Sequence, residues 1–271
     1  IVLRGFTCSF CPYGMVVNMM QYFLAIFFLL AFRSETEAYP KEYGPFTPEE
    51  SPTIVPLTKC SNVKGMDTTA YEKSFPKMQF FVTKKETATR IVGIEPLTRT
   101  GGWRIAIFDG NGLRISQLMI NDVVGGIAYV KSADLNQDGK PDFIVEFCLF
   151  GCGLAAEGST HLFLLSYGRT YTALNYYSYH FGAEDIVRFR RAGPCYFIHN
   201  DLIGNGEEKT RDGHNHNFWV YRLYRFKGSQ MVMANADDPR FPKWIWYTFK
   251  ENHKKTDQLT NDQKKRIIEK R

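Results

Sequence analysis

The chain has 271 residues, 44% of them hydrophobic and 15% aromatic, with a formal net charge of +6. That apolar share is ample for a buried core and excludes wholesale disorder and low-complexity fibres. Residues 250–271 hold eight Lys/Arg and four Asp/Glu, so the rest of the chain is close to neutral, and no basic face built for nucleic acid is indicated.

Residues 22–32 read YFLAIFFLLAF, eleven uninterrupted apolar positions. A short apolar run followed by small residues (Thr36, Ala38) at −3 and −1 predicts a secretory signal peptide over about 15–38, cleaved after Ala38. The predicted location is therefore outside the cytoplasm: secreted, periplasmic or on the cell surface. The run falls short of the roughly 20 residues a spanning helix needs, and only if left uncleaved would it anchor the chain in a membrane. Ile1 stands first and Met15, Met19 and Met20 precede the apolar run, so residues 1–14 or more are expected to be upstream read-through, or else the start is an unusual one. Cys8 and Cys11 would then belong to no mature fold. Cys60, Cys148, Cys152 and Cys195 remain; they permit two disulfides in three pairings, or serve as buried thiols.

Residues 39–77 are expected as an extended arm, because Pro40, Pro45, Pro48, Pro52 and Pro56 remove backbone donors and fix φ. From residue 78 to 249 the texture changes to short aromatic and β-branched runs broken by Gly, Asn and Asp. Strands are predicted at 78–83, 90–96, 103–108, 113–120, 127–133, 142–148, 161–167, 170–178, 185–189, 195–200, 217–226, 230–235 and 243–249. Short, frequent strands split by turns such as Asp109-Gly110-Asn111-Gly112 predict an all-β domain of antiparallel hairpins. The exception is the basic tail 250–271, where Thr260 and Gln263 form a capping box for a short helix over 261–271.

The strands repeat. ADLNQDGKPDFIVE (133–146) set above VRFRRAGPCYFIHN (187–200) aligns Gly139 with Gly193, Phe143 with Phe197 and Ile144 with Ile198. Each copy leads to a hairpin, and a third hairpin at 103–120 has the same character. The chain thus reads as three antiparallel four-stranded units, 78–120, 127–178 and 185–236, each needing a neighbour to cover its apolar face.

Asp134-Leu135-Asn136-Gln137-Asp138-Gly139-Lys140-Pro141-Asp142 carries the strongest chemical pattern. Oxygen side chains stand at positions 1, 3, 5 and 9, glycine at 6 permits the sharp bend, and the carbonyl of Lys140 at 7 can add a ligand. Asp134, Asn136, Asp138, Lys140 and Asp142 together suit a hard cation taking six to eight oxygens, hence Ca²⁺. An EF-hand does not fit, since Val145 stands where a bidentate Glu is needed and the flanks read as strands. The loop resembles that of FG-GAP/VCBS repeats in integrin-like β-propellers, with Asn136 in the second ligand place and Phe143-Ile144-Val145 as the strand that follows. The resemblance implies blade-like sheets, bound calcium and an exported bacterial protein that binds an extracellular protein or carbohydrate. In the second copy the ligand places hold Arg188, Arg190, Ala192 and Tyr196, so a single calcium site is expected. Three units are too few for a closed propeller, so the expected assembly is open.

Other groups bear on an alternative, a secreted hydrolase. His214 and His216 with His199 could bind zinc or supply a general base, although no HExxH or nucleophile elbow accompanies them. Glu157, Glu184 and Asp185 could pair as glycosidase carboxylates. Trp244, Trp246 and Phe249, with Tyr176, Tyr177 and Tyr179, could stack on sugars or fill the core.

Overall fold

The computed structural model describes residues 52–62, 77–83, 89–97, 101–121, 123, 125–148, 158–179, 181–204, 209–234, 238–247 and 259–269. The chain divides into two compact units, residues 1–44 and 45–271, and all described residues fall in the second. The expected signal segment, Cys8, Cys11, Cys152, Glu157 and Phe249 lie outside the described residues.

The proline-rich arm is more than a linker. It carries three two-residue strands, β1 (Thr53–Ile54), β2 (Thr58–Lys59) and β3 (Ser61–Asn62). Beyond it lie three antiparallel sheets in which successive strands are neighbours. The first contains β4 (Gln79–Thr83), β5 (Arg90–Leu97), β6 (Gly102–Asp109) and β7 (Arg114–Ile120). The second contains β8 (Gly126–Ala133), β9 (Asp142–Cys148), β10 (Gly158–Tyr167) and β11 (Thr170–Tyr179). The third contains β12 (Ile186–Arg188), β13 (Tyr196–Gly204), β14 (Asn217–Lys227) and β15 (Gln230–Met233), with β16 (Lys243–Tyr247) on the other half of β14. The all-β, blade-like expectation holds, without a closed barrel.

The hairpins form where the sequence supplies turn chemistry. Asp109 Oδ1 accepts the amides of Asn111 (2.9 Å) and Leu113 (2.8 Å), and Gly112 takes φ of 87°. Gly168 (φ 61°) and Gly228 (φ 58°) turn the β10–β11 and β14–β15 hairpins, in a region that costs a residue with a Cβ.

Strict alternation along β9 fixes the stacking. Phe143, Val145 and Phe147 pack with Val92, Ile94, Ile105 and Ile107 of the first sheet, while Ile144, with Phe163 and Leu165 of β10, packs with Ile186, Phe197 and Phe226 of the third. The second sheet is therefore buried on both faces, which explains the unbroken apolar run of its central strands. Each large side chain removed from water there is worth about 1.5–3 kcal/mol. Phe143 and Phe197, matched in the sequence repeat, each face the preceding sheet. The three units stack head to tail.

The arm crosses all three sheets in reverse chain order. β1 pairs with β12 (Thr53↔Arg188), β2 with β8 (Thr58↔Ser132) and β3 with β4 (Ser61↔Val82), in each case beside the first strand of a unit. Val55 and Cys60 donate backbone bonds to Ile186 (2.8 Å) and Val130 (2.9 Å). Three edges that would otherwise offer unpaired backbone are thereby covered.

Cys60, Cys148 and Cys195 are free thiols, so the disulfide option is not taken among the described residues. Burial pushes the Cys60 thiol up to about 11. Strand β13 runs past the 195–200 expected for it, continuing through Gly204. The helix α1 (Asn261–Glu269) has the expected capping box: Thr260 N donates to Gln263 Oε1 (2.8 Å) and Gln263 N to Thr260 Oγ1 (3.2 Å). Among the described residues no helix is long and apolar enough to cross a membrane.

Candidate metal site

Residues 134–141 join β8 to β9 at the junction of the second and third sheets. Leu135, at loop position 2, is fully buried beside Ile144 and Phe163, so the loop is pinned by its apolar residue and exposes its tip, residues 137–139. Gln137 (φ 63°) and Gly139 (φ 83°) make the reversal. Asn136 Oδ1 accepts the Asp138 amide (3.1 Å), Asp138 Oδ1 the Lys140 amide (2.9 Å) and Asp134 Oδ2 the Gly139 amide (3.1 Å). Overlapping Asx turns of this kind hold alternate oxygens on one side of a loop.

The loop also ties neighbouring turns. Asn136 Nδ2 donates to the carbonyls of Ser166 (2.7 Å) and Gly228 (3.2 Å), Gln137 Nε2 to Gly193 (3.0 Å) and Lys140 Nζ to Gly168 (2.5 Å). Two of these acceptors belong to the third sheet, so the loop fastens that sheet to the second.

Asp142 is the most buried of the five expected ligands. Its Oδ2 accepts the amides of Leu135 (2.7 Å) and Asn136 (3.1 Å), and its Oδ1 accepts that of Ser166 (2.6 Å). Burial outweighs these bonds and pushes its carboxyl up to about 7. Asp142 is thus a bracket for the backbone. Asp134 differs: its Oδ1 is buried and has no hydrogen-bond partner. A buried carboxylate oxygen without a partner is a costly feature that a cation at that oxygen would remove. Asp134, Asn136, Asp138 and the Lys140 carbonyl form an all-oxygen donor set, which fits Ca²⁺ and suits no soft metal. Among the described residues no group of three or more His, Cys, Asp or Glu is gathered closely enough to hold an ion by those types alone.

His214 and His216 adjoin, with ring centroids 6.3 Å apart, but His199 is not brought to them. His199 lies in the core between the second and third sheets, its ring 6.2 Å from Tyr176 and 5.9 Å from Tyr224, with Nε2 2.6 Å from the Tyr177 carbonyl. His216 pairs with Asp212 (2.7 Å) and packs edge-on to Phe218, which belongs to a separate cluster with Val220, Trp244 and Leu259. His214 is exposed. Glu184 and Asp185 sit in a short 3₁₀ helix, where Asp185 Oδ2 accepts the Gly182 amide (2.7 Å). Trp244 is buried under Lys264, Tyr176 is half-buried against the core between the second and third sheets, and Tyr179 packs on Trp219 (5.5 Å).

A polar row missed by the sequence reading crosses the second sheet. Tyr129, Glu146, His161 and Tyr176 are in register on β8, β9, β10 and β11. Ser159 Oγ lies 2.8 Å from His161 Nε2, and Glu146 bonds with Tyr129 and Ser159. Burial, followed by His199 and Lys131, lowers His161 to about 3, so its imidazole stays neutral; burial raises Glu146. The signal that could have found the row was alternation: Glu146 and Cys148 share the Ile144 face of β9.

Comparison with protein-family models, with curated proteins and with solved structures returned no match.

Proposed function

We propose that the chain is an exported binding module of stacked β-sheets resembling FG-GAP/VCBS repeats, held by one Ca²⁺ in the loop 134–142. The observation that carries this reading is the buried, unpartnered Oδ1 of Asp134 in a loop whose Asx turns are closed by Asn136 and Asp138. The ion acts as a staple: it would lock the loop that ties the second sheet to the third, and the module would present its surface to an extracellular protein or carbohydrate.

Calcium titration of the full chain by calorimetry, with thermal unfolding in calcium and in chelator, tests the proposal. One ion is expected to bind with a Kd of about 10⁻⁴–10⁻³ M, as in other extracellular modules. Saturating calcium should stabilise the fold by about 2–3 kcal/mol at a hundredfold excess over Kd. Asp138→Ala should abolish that gain while leaving the chelated protein nearly unchanged. Equal destabilisation with and without calcium would reduce 134–142 to an ordinary turn.

A further inference from the structure

A cleft of about 840 Å³ opens between the first and second sheets, where the β6–β7 turn faces the β10–β11 turn. Its floor is closed by a contact between Ser116 Oγ and Thr170 Oγ1 (3.3 Å) and by Tyr171, whose hydroxyl donates to the Pro141 carbonyl (2.9 Å). Arg90, Arg114, Lys140 and Arg169 line it, against the single carboxylate of Asp109. That carboxylate already accepts two amides of its own turn, at 2.8 and 2.9 Å. Among the described residues none of the three arginines has a carboxylate within ion-pair distance. Arg114 reaches Gln117 (2.8 Å), and Arg90 reaches the carbonyl of Thr89 (3.0 Å) and the Tyr171 hydroxyl, while Arg90 Nε is buried without an acceptor. Lys140 is held by the Gly168 carbonyl and, at 3.9 Å, by Asp138.

Four cations gathered in one concave site repel each other, and more so near a low-dielectric wall. A lone arginine on a surface is ordinary; three around one cavity, one with a buried unused donor, are arranged for an acceptor that the chain does not supply. Guanidinium forks match oxyanions in pairs, and the volume lies in the range of small-molecule sites. We propose that this cleft binds a small polyanion, a ligand carrying two or more phosphate, sulfate or carboxylate groups. Arg90 anchors it from the buried end, Arg114 and Arg169 grip it from the two turns, and Lys140 adds charge from the neighbouring loop. The inference does not depend on calcium in 134–142.

The test is calorimetric titration of the full chain, free of divalent cations and at low ionic strength, with pyrophosphate, citrate and a disulfated disaccharide as probes. Saturable one-to-one binding of at least one probe is expected, and the preferred probe identifies which oxyanion the cleft takes. Binding should weaken at least about tenfold in the double variant Arg114→Glu, Arg169→Glu and by a similar factor on raising salt to about 0.5 M. Both arginines are exposed, so the variant should retain the wild-type unfolding midpoint. Arg211→Glu, on an exposed turn elsewhere, should bind as the wild type does. The proposal is overturned if no probe binds up to about 10 mM at low salt, if the double variant binds as tightly as the wild type, or if Arg211→Glu loses as much.

Discussion

Residues 134–142 and 188–196 occupy the same place in successive sheets. Asp142 opens β9 opposite Ala133, and Tyr196 opens β13 opposite Val187, with the same spacing in each copy. In the second sheet the connection is oxygen-rich, folded over its own amides and bracketed by a buried carboxylate. In the third it is cationic and aromatic: Arg188 Nε donates to Cys195 Sγ (3.1 Å), and Phe189 packs on Tyr196 at 5.1 Å. Arg190, Arg225 and Arg240 line a cavity of about 500 Å³ beside it. The fold therefore asks only for a reversal at this point. The oxygen-rich pattern of the first copy is an addition, and its absence from the second leaves the β-architecture intact.

The sharpest way to break this comparison is at the bracket. Asp142→Ala strands three buried amides, at about 1–3 kcal/mol for each unmade bond, so a loss of about 4 kcal/mol is expected in denaturant unfolding. Tyr196→Ala, which removes the ring packed on Phe189, should cost about half as much. Equal losses would mean that both connections are held by packing alone.

The two sheets differ again in their buried polar groups. The third buries a formed ion pair, Arg222–Asp201 at 3.2 Å, whereas the second buries His161 in its neutral state. A histidine held at about 3 in the fold against about 6.5 in the unfolded chain binds its proton only on unfolding. Its contribution is complete above pH 6.5 and is lost as pH falls towards 3, with a slope of at most about 1.4 kcal/mol per pH unit. Unfolding free energies measured from pH 7 to pH 4 should fall less steeply in His161→Phe than in the wild type. An unchanged slope would assign the acid sensitivity of the second sheet to other groups.

The smallest effect concerns the matched glycines. Gly139 has φ of 83° and open space where a Cβ would stand, so Gly139→Ala should cost about 1 kcal/mol through backbone strain alone. Gly193 does not adopt the left-handed region, and an added Cβ would meet the Arg190 Cβ and carbonyl at 3.2 Å. Gly193→Ala should therefore cost about half as much or less, since that neighbour is exposed and can shift. A larger loss at Gly193 would reverse the assignment of the tighter turn.

All thirteen strands expected between 78 and 249 appear, because period-two alternation and glycine turns are local signals that tertiary packing reinforced. The helix cap at Thr260 was equally local. What the sequence did not disclose was partnership. Thr53, Thr58 and Ser61 sit among prolines and became strands only because distant edges were waiting for them. The role of Asp142 as a bracket depends on the Ser166 amide across the hairpin, and the cleft of Arg90, Arg114 and Arg169 depends on two turns being set face to face. The spacing of oxygen side chains marked the loop 134–142 but could not say which of them would be taken by backbone.

The path of the arm has a kinetic meaning. Thr53 pairs with Arg188, whereas Ser61 pairs with Val82, so the first described strand is completed by the last sheet to be synthesised. Closing such long loops is entropically slow, and this sheet-spanning connection raises the contact order of a protein whose other pairings, β14 with β16 apart, join consecutive strands. The hairpins can form early and alone, but the seam across all three sheets can form only when the whole chain is present. A nascent chain that stops before β12 can pair β2 with β8 and β3 with β4 but leaves β1 without its partner, and final locking of the seam is thereby deferred until the third sheet is made.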